Sequence, residues 1–270
     1  MLQPLPLPHV PVPCVHAPLE WQRIDFISDL HLDASEPHTF EAWVRYMANT
    51  PADALFILGD LFEVWVGDDN ADPFALQCKA VLTDTAKRLP VHFMCGNRDF
   101  LVGADLLAST GVHGLSDPTV LELGTLNGST PTRILLSHGD ALCLEDHDYL
   151  AFRKQVRHSD WQTAFLAKPL AERQAYARSV RNQSEARKQS QTDHADVDTQ
   201  AAVGWLQAAD AQILLHGHTH KPAAHDLGQG FMRWVLSDWH ADSHPPRLEV
   251  VRWLREHANS PAHGLSRLPL

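Results

Sequence analysis

The chain has 270 residues, of which 44% are hydrophobic and 20% charged, and its formal net charge is -11. This length suffices for one large domain with an insertion or for two small domains, and the composition is that of an ordinary globular protein. The negative charge argues against a nucleic-acid partner, and every apolar run is shorter than the roughly 20 residues that a membrane-spanning helix needs. The four cysteines form no C-x-x-C pair, which argues against a disulfide framework or a structural zinc site and is typical of a reducing compartment.

Both ends of the chain contain proline and lack the periodic apolar pattern of a packed strand or helix. Residues 1–20 carry six prolines and no basic residue, so they do not form a signal peptide. Closely spaced prolines favour an extended, poorly packed segment. We therefore expect a flexible leader over 1–20, a domain over 21–255 and a loose tail over 256–270.

Between these ends, apolar strands alternate with helical stretches, a pattern typical of an α/β fold. It predicts strands over 23–28, 54–59, 91–95, 133–137 and 212–216, and helices over 38–49, 73–88 and 101–110. Two further apolar runs, 231–236 and 247–254, have no helix between them. They predict a second, more antiparallel sheet that closes the domain.

The region from about 147 to 200 has no strand pattern and is predicted to be helical. Residues 151–190 contain nine Lys or Arg against three acidic residues, a local net charge of +6 in a chain of -11. A basic helical segment is most often a solvated surface. This one lies between the fourth and fifth polar motifs described below, so we expect it to cover their site as a cap. A basic, partly apolar cap suits a substrate with both phosphate and apolar chains.

Five short polar motifs occur between Asp29 and His220, and at least four of them end an apolar run. They are Asp29-Leu-His31, Gly59-Asp60, Gly96-Asn97-Arg98-Asp99, His138-Gly139-Asp140 and Gly217-His218-Thr219-His220. Polar residues at strand ends form the binding edge of an α/β sheet. Each motif alone is common in turns and helix caps, so the interpretation depends on the five together.

The motifs supply seven potential metal ligands that combine oxygen donors with imidazoles: Asp29, His31, Asp60, Asn97, His138, His218 and His220. Mg²⁺ or Ca²⁺ would prefer an all-oxygen shell and structural Zn²⁺ would prefer cysteines, so this set indicates Mn²⁺, Fe²⁺, Zn²⁺ or Co²⁺. Seven donors are too many for one ion and suit two ions that share a carboxylate. Such a pair promotes in-line attack of water at phosphorus.

Individual roles follow from residue type and position. Asp60 stands alone after its strand and is the expected bridge between two ions. Arg98 suits a phosphate clamp because its guanidinium stays charged. The period of two in extended chain predicts that Asp29 with His31, and His218 with His220, point the same way. Asp99 and Asp140 are expected to orient ligand histidines. Neither a Gly-x-Ser-x-Gly motif nor a Gly-x-x-x-x-Gly-Lys loop occurs.

In this order, the five motifs resemble those of the calcineurin-like metallophosphoesterase superfamily (D-x-H, G-D, G-N-[HR]-[DE], H and G-H-x-H), over about residues 23 to 240. The resemblance implies a two-sheet α/β sandwich flanked by helices, with the helical cap as an insertion. It implies two Mn²⁺ ions at the strand ends and assigns Asp29, His31 and His220 to one of them. Asn97, His138 and His218 would hold the other, with Asp60 as the bridge. Asp60, Asn97 and Arg98 would be the catalytic residues.

A narrower resemblance rests on Arg98, which stands where most of the superfamily has histidine. Together with Gly59-Asp-Leu-Phe-Glu-Val-Trp65 and His216-Gly-His-Thr-His-Lys-Pro222, it resembles the UDP-2,3-diacylglucosamine diphosphatases of lipid A biosynthesis in Gram-negative bacteria. That family attacks the α-phosphorus of its substrate and releases UMP and 2,3-diacylglucosamine 1-phosphate (lipid X). The resemblance implies a cap over two acyl chains and peripheral attachment to the cytoplasmic face of the inner membrane. Neither a nucleic acid nor an obligate protein partner is expected.

The same resemblance implies substrate-binding roles for seven residues: Asn97, Arg98, Asp146, Ser184, Lys188, Gln191 and His218. Two alternatives stay open. A hydrolase of the same superfamily that acts on nucleotides or dinucleotide polyphosphates is disfavoured by Arg98 and by the amphipathic cap. A non-enzymatic scaffold is disfavoured because all seven ligands are present.

Overall fold

A computed structural model describes residues 11–124, 130–190, 196–258 and 263–270, with the backbone alone over 182–190. Its strands are β1 (Cys14–Ala17), β2 (Arg23–Ile27), β3 (Ala54–Leu58), β4 (Val91–Met94), β5 (His113–Leu115), β6 (Thr119–Leu123), β7 (Thr132–Ser137), β8 (Ile213–His216), β9 (Ala223–Gly228), β10 (Phe231–Val235), β11 (Glu249–Leu254) and β12 (Leu265–Pro269). Its α-helices are α1 (Pro37–Asn49), α2 (Pro73–Ala86), α3 (Ala104–Thr110), α4 (His147–Val156), α5 (Ser159–Leu166), α6 (Leu170–Ser190) and α7 (Thr199–Ala208).

The strands form two six-stranded sheets. Sheet A has the order β1-β6-β7-β8-β10-β9 and sheet B the order β12-β11-β2-β3-β4-β5. In sheet B, β2, β3, β4 and β5 run parallel, and in sheet A, β7, β8 and β10 run parallel. The predicted two-sheet α/β sandwich is confirmed.

The hydrophobic core lies between the two sheets and beneath the helices on either side. Along β3, Phe56 and Leu58 pack towards sheet A, whereas Leu55 and Ile57 pack towards α1 and α2. This division follows from the alternation of side chains in a strand. The other face of sheet A is covered by α7. Strands covered on both faces are apolar throughout, which explains why their sequence signal was strong.

The predicted strands and helices between residues 23 and 216 all occur, with ends within three residues of the expected ones. The expected second sheet of 231–236 and 247–254 is wrong. Instead, β10 pairs in parallel with β8 in sheet A, and β11 pairs antiparallel with β2 in sheet B. Hydrophobic periodicity identifies a strand but does not identify its partner.

Contrary to the expected loose leader and tail, both segments contribute an edge strand. β1 pairs in parallel with β6, and β12 pairs antiparallel with β11. Side-chain contacts fasten both strands: His16 hydrogen-bonds Glu122 (3.1 Å), and Arg267 forms an ion pair with Glu249 (2.5 Å). Proline is compatible with an edge strand because such a strand needs partners on one side only. The first ten residues of the leader lie outside the described part of the chain.

The basic region is helical, as expected, and contains α4, α5 and α6. Arg173 on α6 is 2% exposed and holds this helix to the loop between β3 and α2. Its guanidinium donates to the carbonyl of Val66 (2.5 Å) and to both carboxylate oxygens of Asp69. Of the helices in the described ranges, none is both long enough and apolar enough to span a membrane.

Candidate metal centre

Each of the five polar motifs begins directly after a strand or one residue beyond it. The first three follow β2, β3 and β4 of sheet B, and the last two follow β7 and β8 of sheet A. Because the strands of each group run parallel, their carboxyl ends meet at one edge of the sandwich. The structure brings all seven predicted ligands together there.

One group of ligands contains Asp29, His31 and His220, whose donor atoms lie within 4.8 Å of one another. The two Nε2 atoms of His31 and His220 are 3.2 Å apart, and His220 Nε2 is 3.4 Å from Asp29 Oδ1. Imidazole and carboxylate donors that point at one another in this way form a cradle for a cation.

The second group contains Asn97, His138 and His218. The Oδ1 atom of Asn97 is 2.9 Å from His138 Nε2 and 2.9 Å from His218 Nδ1. Asp60 lies between the groups, because its Oδ2 is 3.9 Å from His31 Nε2 and its Oδ1 is 3.7 Å from His138 Nε2. One carboxylate thus faces a member of each group, which is the position that a bridging ligand requires.

The convergence depends on backbone geometry that differs from the expected extended chain. Five of the seven ligands have positive φ angles: Asp29 (54°), His31 (48°), Asp60 (52°), His218 (67°) and His220 (53°). The period of two therefore does not apply, because these residues lie beyond the strands, in left-handed turns. Left-handed backbone costs about 1–3 kcal/mol per non-glycine residue and persists at functional sites that the surrounding fold enforces.

Burial and charge make these side chains suitable ligands. Burial and the neighbouring charge of His138 lower the pKa of His218 to about 3, so its imidazole is neutral and free to bind a cation. For His138, burial opposes protonation, but the carboxylates of Asp60, Asp29 and Asp140 raise its pKa to about 9. A bound cation would replace that proton. The donor set therefore fits divalent metal ions.

The prediction that Asp99 and Asp140 orient ligand histidines is wrong for the contacts that the structure describes. Asp99 accepts hydrogen bonds from the backbone amides of Gly96 (2.7 Å) and Leu61 (2.8 Å), so it joins the loops after β3 and β4. Asp140 accepts from Tyr149 Oη and Arg153 Nε. His138 is oriented by a main-chain group instead, since its Nδ1 lies 2.9 Å from the carbonyl of Leu58. Adjacency in sequence did not reveal these directions.

Two other carboxylates, which the sequence analysis missed, lie beside the ligand histidines. Glu63 Oε2 is 2.9 Å from His31 Nδ1, and Asp238 Oδ2 is 3.8 Å from His220 Nδ1. Both are buried. A signal for Glu63 was present, because it is a charged residue in the apolar run from Leu61 to Trp65 and a buried charge needs a partner.

Arg98 lies at the rim of the centre. Its main-chain amide donates to Asp60 Oδ1 (2.8 Å), and its Nη1 lies 3.4 Å from Glu63 Oε1. Its Nε is buried and has no hydrogen-bond partner among the described residues. One N–H group of this guanidinium is therefore unpaired within the described part of the chain.

Side chains from the cap reach the centre directly. The ring of Tyr149 stacks on His218 at a centroid distance of 5.9 Å, and Arg157 Nη2 donates to the carbonyl of Gly96 (2.8 Å). Asp146, a predicted substrate contact, is exposed and caps α4 by accepting from Tyr149 N (3.1 Å). Ser184 and Lys188 lie on α6 with side chains outside the described residues, and Gln191 lies outside them altogether.

Comparisons with known proteins found similar structures and similar sequences. Among solved structures, vacuolar protein sorting 29 from Cryptosporidium parvum aligns with 92% of this chain and 96% of its own, at 13% identity and a TM-score of 0.42. The model of the calcineurin-like phosphoesterase family matches residues 22–222. A UDP-2,3-diacylglucosamine hydrolase from Chromobacterium violaceum is 47% identical over 226 residues, which are 80% of this chain and 90% of that protein. One from Bordetella pertussis is 41% identical over 230 residues, 82% of this chain and 87% of that protein.

The chain therefore belongs to the calcineurin-like phosphoesterases. Family membership, together with the convergent ligand groups, indicates a site for two metal ions. The predicted class, a metal-dependent hydrolase, is confirmed.

Proposed function

We propose that the protein hydrolyses the diphosphate bond of UDP-2,3-diacylglucosamine in lipid A biosynthesis, with UMP and 2,3-diacylglucosamine 1-phosphate as products. The observation that carries this proposal is the pairing of a complete two-ion ligand set with a basic cap, in a chain 47% identical to a protein of that name. The proposed unit spans 21–255, with the cap as an insertion at about 147–200.

We assign the metal ligands to two ions. Asp29, His31 and His220 would hold one ion and Asn97, His138 and His218 the other, with Asp60 shared. The expected metal is Mn²⁺, which the mixed nitrogen and oxygen donors accommodate. When bound, such a pair acidifies a water molecule and neutralises charge on the phosphoryl oxygens.

The remaining residues of the centre would bind and orient the diphosphate. Arg98 is placed to hold a phosphoryl oxygen, because its Nε is unpaired among the described residues and its Nη1 is braced by Glu63. A guanidinium aimed at charge that develops in the transition state contributes directly to rate. Asn97 and His218 would contact the same phosphate. Asp146, Ser184, Lys188 and Gln191 are proposed as contacts to the rest of the substrate.

The cap is suited to the lipid part of this substrate. Leu166 on α5 is 41% exposed and Tyr176 on α6 is 39% exposed, and both lie in the basic segment. Exposed apolar side chains among positive charges favour contact with an anionic membrane surface. We therefore propose that the protein works at the cytoplasmic face of the inner membrane.

The proposal is tested by turnover of three substrates with the Mn²⁺-loaded protein. We expect UDP-2,3-diacylglucosamine to be cleaved with a kcat/KM at least about 10³-fold above that of bis(p-nitrophenyl) phosphate, because the cap contributes binding energy only to the first. Diadenosine polyphosphates serve as the third substrate. Faster cleavage of these compounds would contradict the proposal and favour a nucleotide hydrolase.

A further inference from the structure

Glu63 contacts more of the site than the brace of Arg98 described above. It follows the bridging Asp60 by three residues and is 8% exposed. Three side chains that carry or can carry positive charge surround its carboxylate, and each comes from a different part of the molecule. They are His31 of the metal centre, Arg98 of the loop after β4 and Arg181 of the cap helix α6.

The two carboxylate oxygens divide these partners between them. Oε2 lies 2.9 Å from His31 Nδ1, the ring nitrogen that faces away from the metal ligands. Oε1 lies 3.4 Å from Arg98 Nη1 and 3.3 Å from Arg181 Nε. When Oε2 is held at His31, Oε1 is therefore held at the position where Arg98 and Arg181 contact it.

The contact with His31 has a defined chemical consequence. His31 Nε2 faces His220 and Asp60, so Nδ1 must carry the proton when Nε2 binds a cation. A carboxylate at Nδ1 fixes that tautomer and makes the imidazole a stronger ligand. Conversely, a cation at Nε2 holds the Nδ1 proton towards Glu63 and fixes the carboxylate.

We propose that Glu63 is a positioning residue that couples the cap to the metal centre. A cation bound by His31 would fix the orientation of Glu63, whose other oxygen lies within 3.4 Å of Arg98 and Arg181, and would thereby hold α6 beside the site. The coupling between ion and cap follows from these contacts of Glu63 and does not depend on the identity of the substrate. Its effect on cleavage of a diacylated substrate rests on the proposed function.

Glu63→Gln tests the proposal with the least change of shape. The amide cannot accept on both sides, so His31 loses its acceptor or Arg98 and Arg181 lose theirs. We expect Mn²⁺ affinity to fall about 10–100-fold, as for other partners of ligand histidines. With bis(p-nitrophenyl) phosphate, kcat measured at saturating Mn²⁺ should fall more than KM rises, because Arg98 is misplaced rather than lost.

Hydrogen exchange in α6 gives a readout that needs no substrate. In the wild-type protein, loading with Mn²⁺ should slow amide exchange in α6 by about three- to fivefold, the contribution of a partly exposed ion pair. Both Glu63→Gln and Arg181→Gln should remove this slowing. Glu249→Gln is the matched control, because Glu249 pairs with Arg267 away from the centre. It should behave as wild type.

A double-mutant cycle of Glu63→Gln and Arg181→Gln separates coupling from simple damage. For the diacylated substrate, the losses in kcat/KM should be non-additive, since either change breaks the same link. Unchanged Mn²⁺ affinity in Glu63→Gln, or metal-dependent slowing in α6 that persists in both variants, would overturn the proposal. Failure of the wild-type protein to cleave UDP-2,3-diacylglucosamine would refute the proposed function alone, because the affinity and exchange results would still decide the role of Glu63.

Discussion

The metal centre and the cap are built in opposite ways. The carboxylates Asp29 and Asp60 and the imidazole of His138 are at most 2% exposed, and loops from both sheets hold them. The cap is more exposed, and it is fastened by contacts such as Arg173 to Asp69 and Arg157 to Gly96 and by Phe165, which is buried in the core. The buried loops of the sandwich therefore fix the positions of the ligand side chains, whereas the cap contacts these loops through individual side chains.

If the comparison is correct, damage to the centre should abolish turnover and leave the cap in place. Asp60→Ala removes a carboxylate that lies 3.9 Å from His31 and 3.7 Å from His138, one histidine of each ligand group, and several kcal/mol of transition-state stabilisation should be lost with it. We expect kcat to fall by at least about 10³-fold at saturating Mn²⁺. Steady-state kinetics and metal analysis measure the effect.

The control for this prediction is Asp226→Ala, which removes an exposed carboxylate on β9 that accepts a bond from its own turn. It should leave kcat unchanged. Activity within tenfold of wild type in a folded, metal-loaded Asp60→Ala protein would remove the bridging role.

A change at Asp69, which holds Arg173 of the cap, should loosen the cap and leave the metal centre intact. Asp69→Asn leaves the buried guanidinium of Arg173 without its charged partner, although its bonds to main-chain carbonyls remain. We expect the cap to open more readily by about 1.5–3 kcal/mol, the contribution of hydrogen bonds to a charged group. Hydrogen exchange should accelerate in α5 and α6 while β3 and β4 keep their protection.

For this second variant, Mn²⁺ affinity and turnover of bis(p-nitrophenyl) phosphate should stay within about twofold of wild type. Loosening that spreads equally into β3 and β4 would show that the two regions unfold as one unit.

The smallest effect is expected from the exposed apolar surface of the cap. Leu166→Ser removes a side chain that is already 41% exposed, so the fold should tolerate it. If acyl chains cover this residue, KM for the diacylated substrate should rise about tenfold, from burial worth roughly 1.5 kcal/mol. Leu19→Ser, at an exposed leucine between β1 and β2, is the matched control. Equal effects of both changes, or equal effects on the soluble diester, would exclude the contact.

Much of the fold could be predicted because its central strands are buried on both faces and therefore apolar without interruption. β3, with five fully buried residues, is the clearest case. Pairing could not be predicted, since nothing in the run 231–236 distinguishes β8 of sheet A from an antiparallel neighbour in a separate sheet. β1 and β12 were missed because short edge strands beside prolines have the composition of a loose terminus.

For the candidate site, residue types predicted which side chains meet but not how they meet. Asp29, His31, Asp60 and His220 could be grouped because carboxylate and imidazole side chains both bind divalent metal ions. Their left-handed turns could not be predicted from the sequence, because glycine is the residue type that marks positive φ most clearly and none of these residues is glycine. Glu63 could have been found from its burial within an apolar run. The cap contacts to Glu63 and Gly96 join residues more than 60 positions apart, and no local pattern encodes such a distance.

At the ligand residues in left-handed turns, the residue type that is best for stability differs from the one that binds metal. At Asp29, His31 or His218, glycine would relax the backbone, and asparagine would adopt the same conformation more readily than most residues. A library selected only for survival at high temperature should therefore drift towards these residues at the strand ends and lose its ions. Engineering of this enzyme for durability should keep those positions fixed and seek its gains in the outer helices.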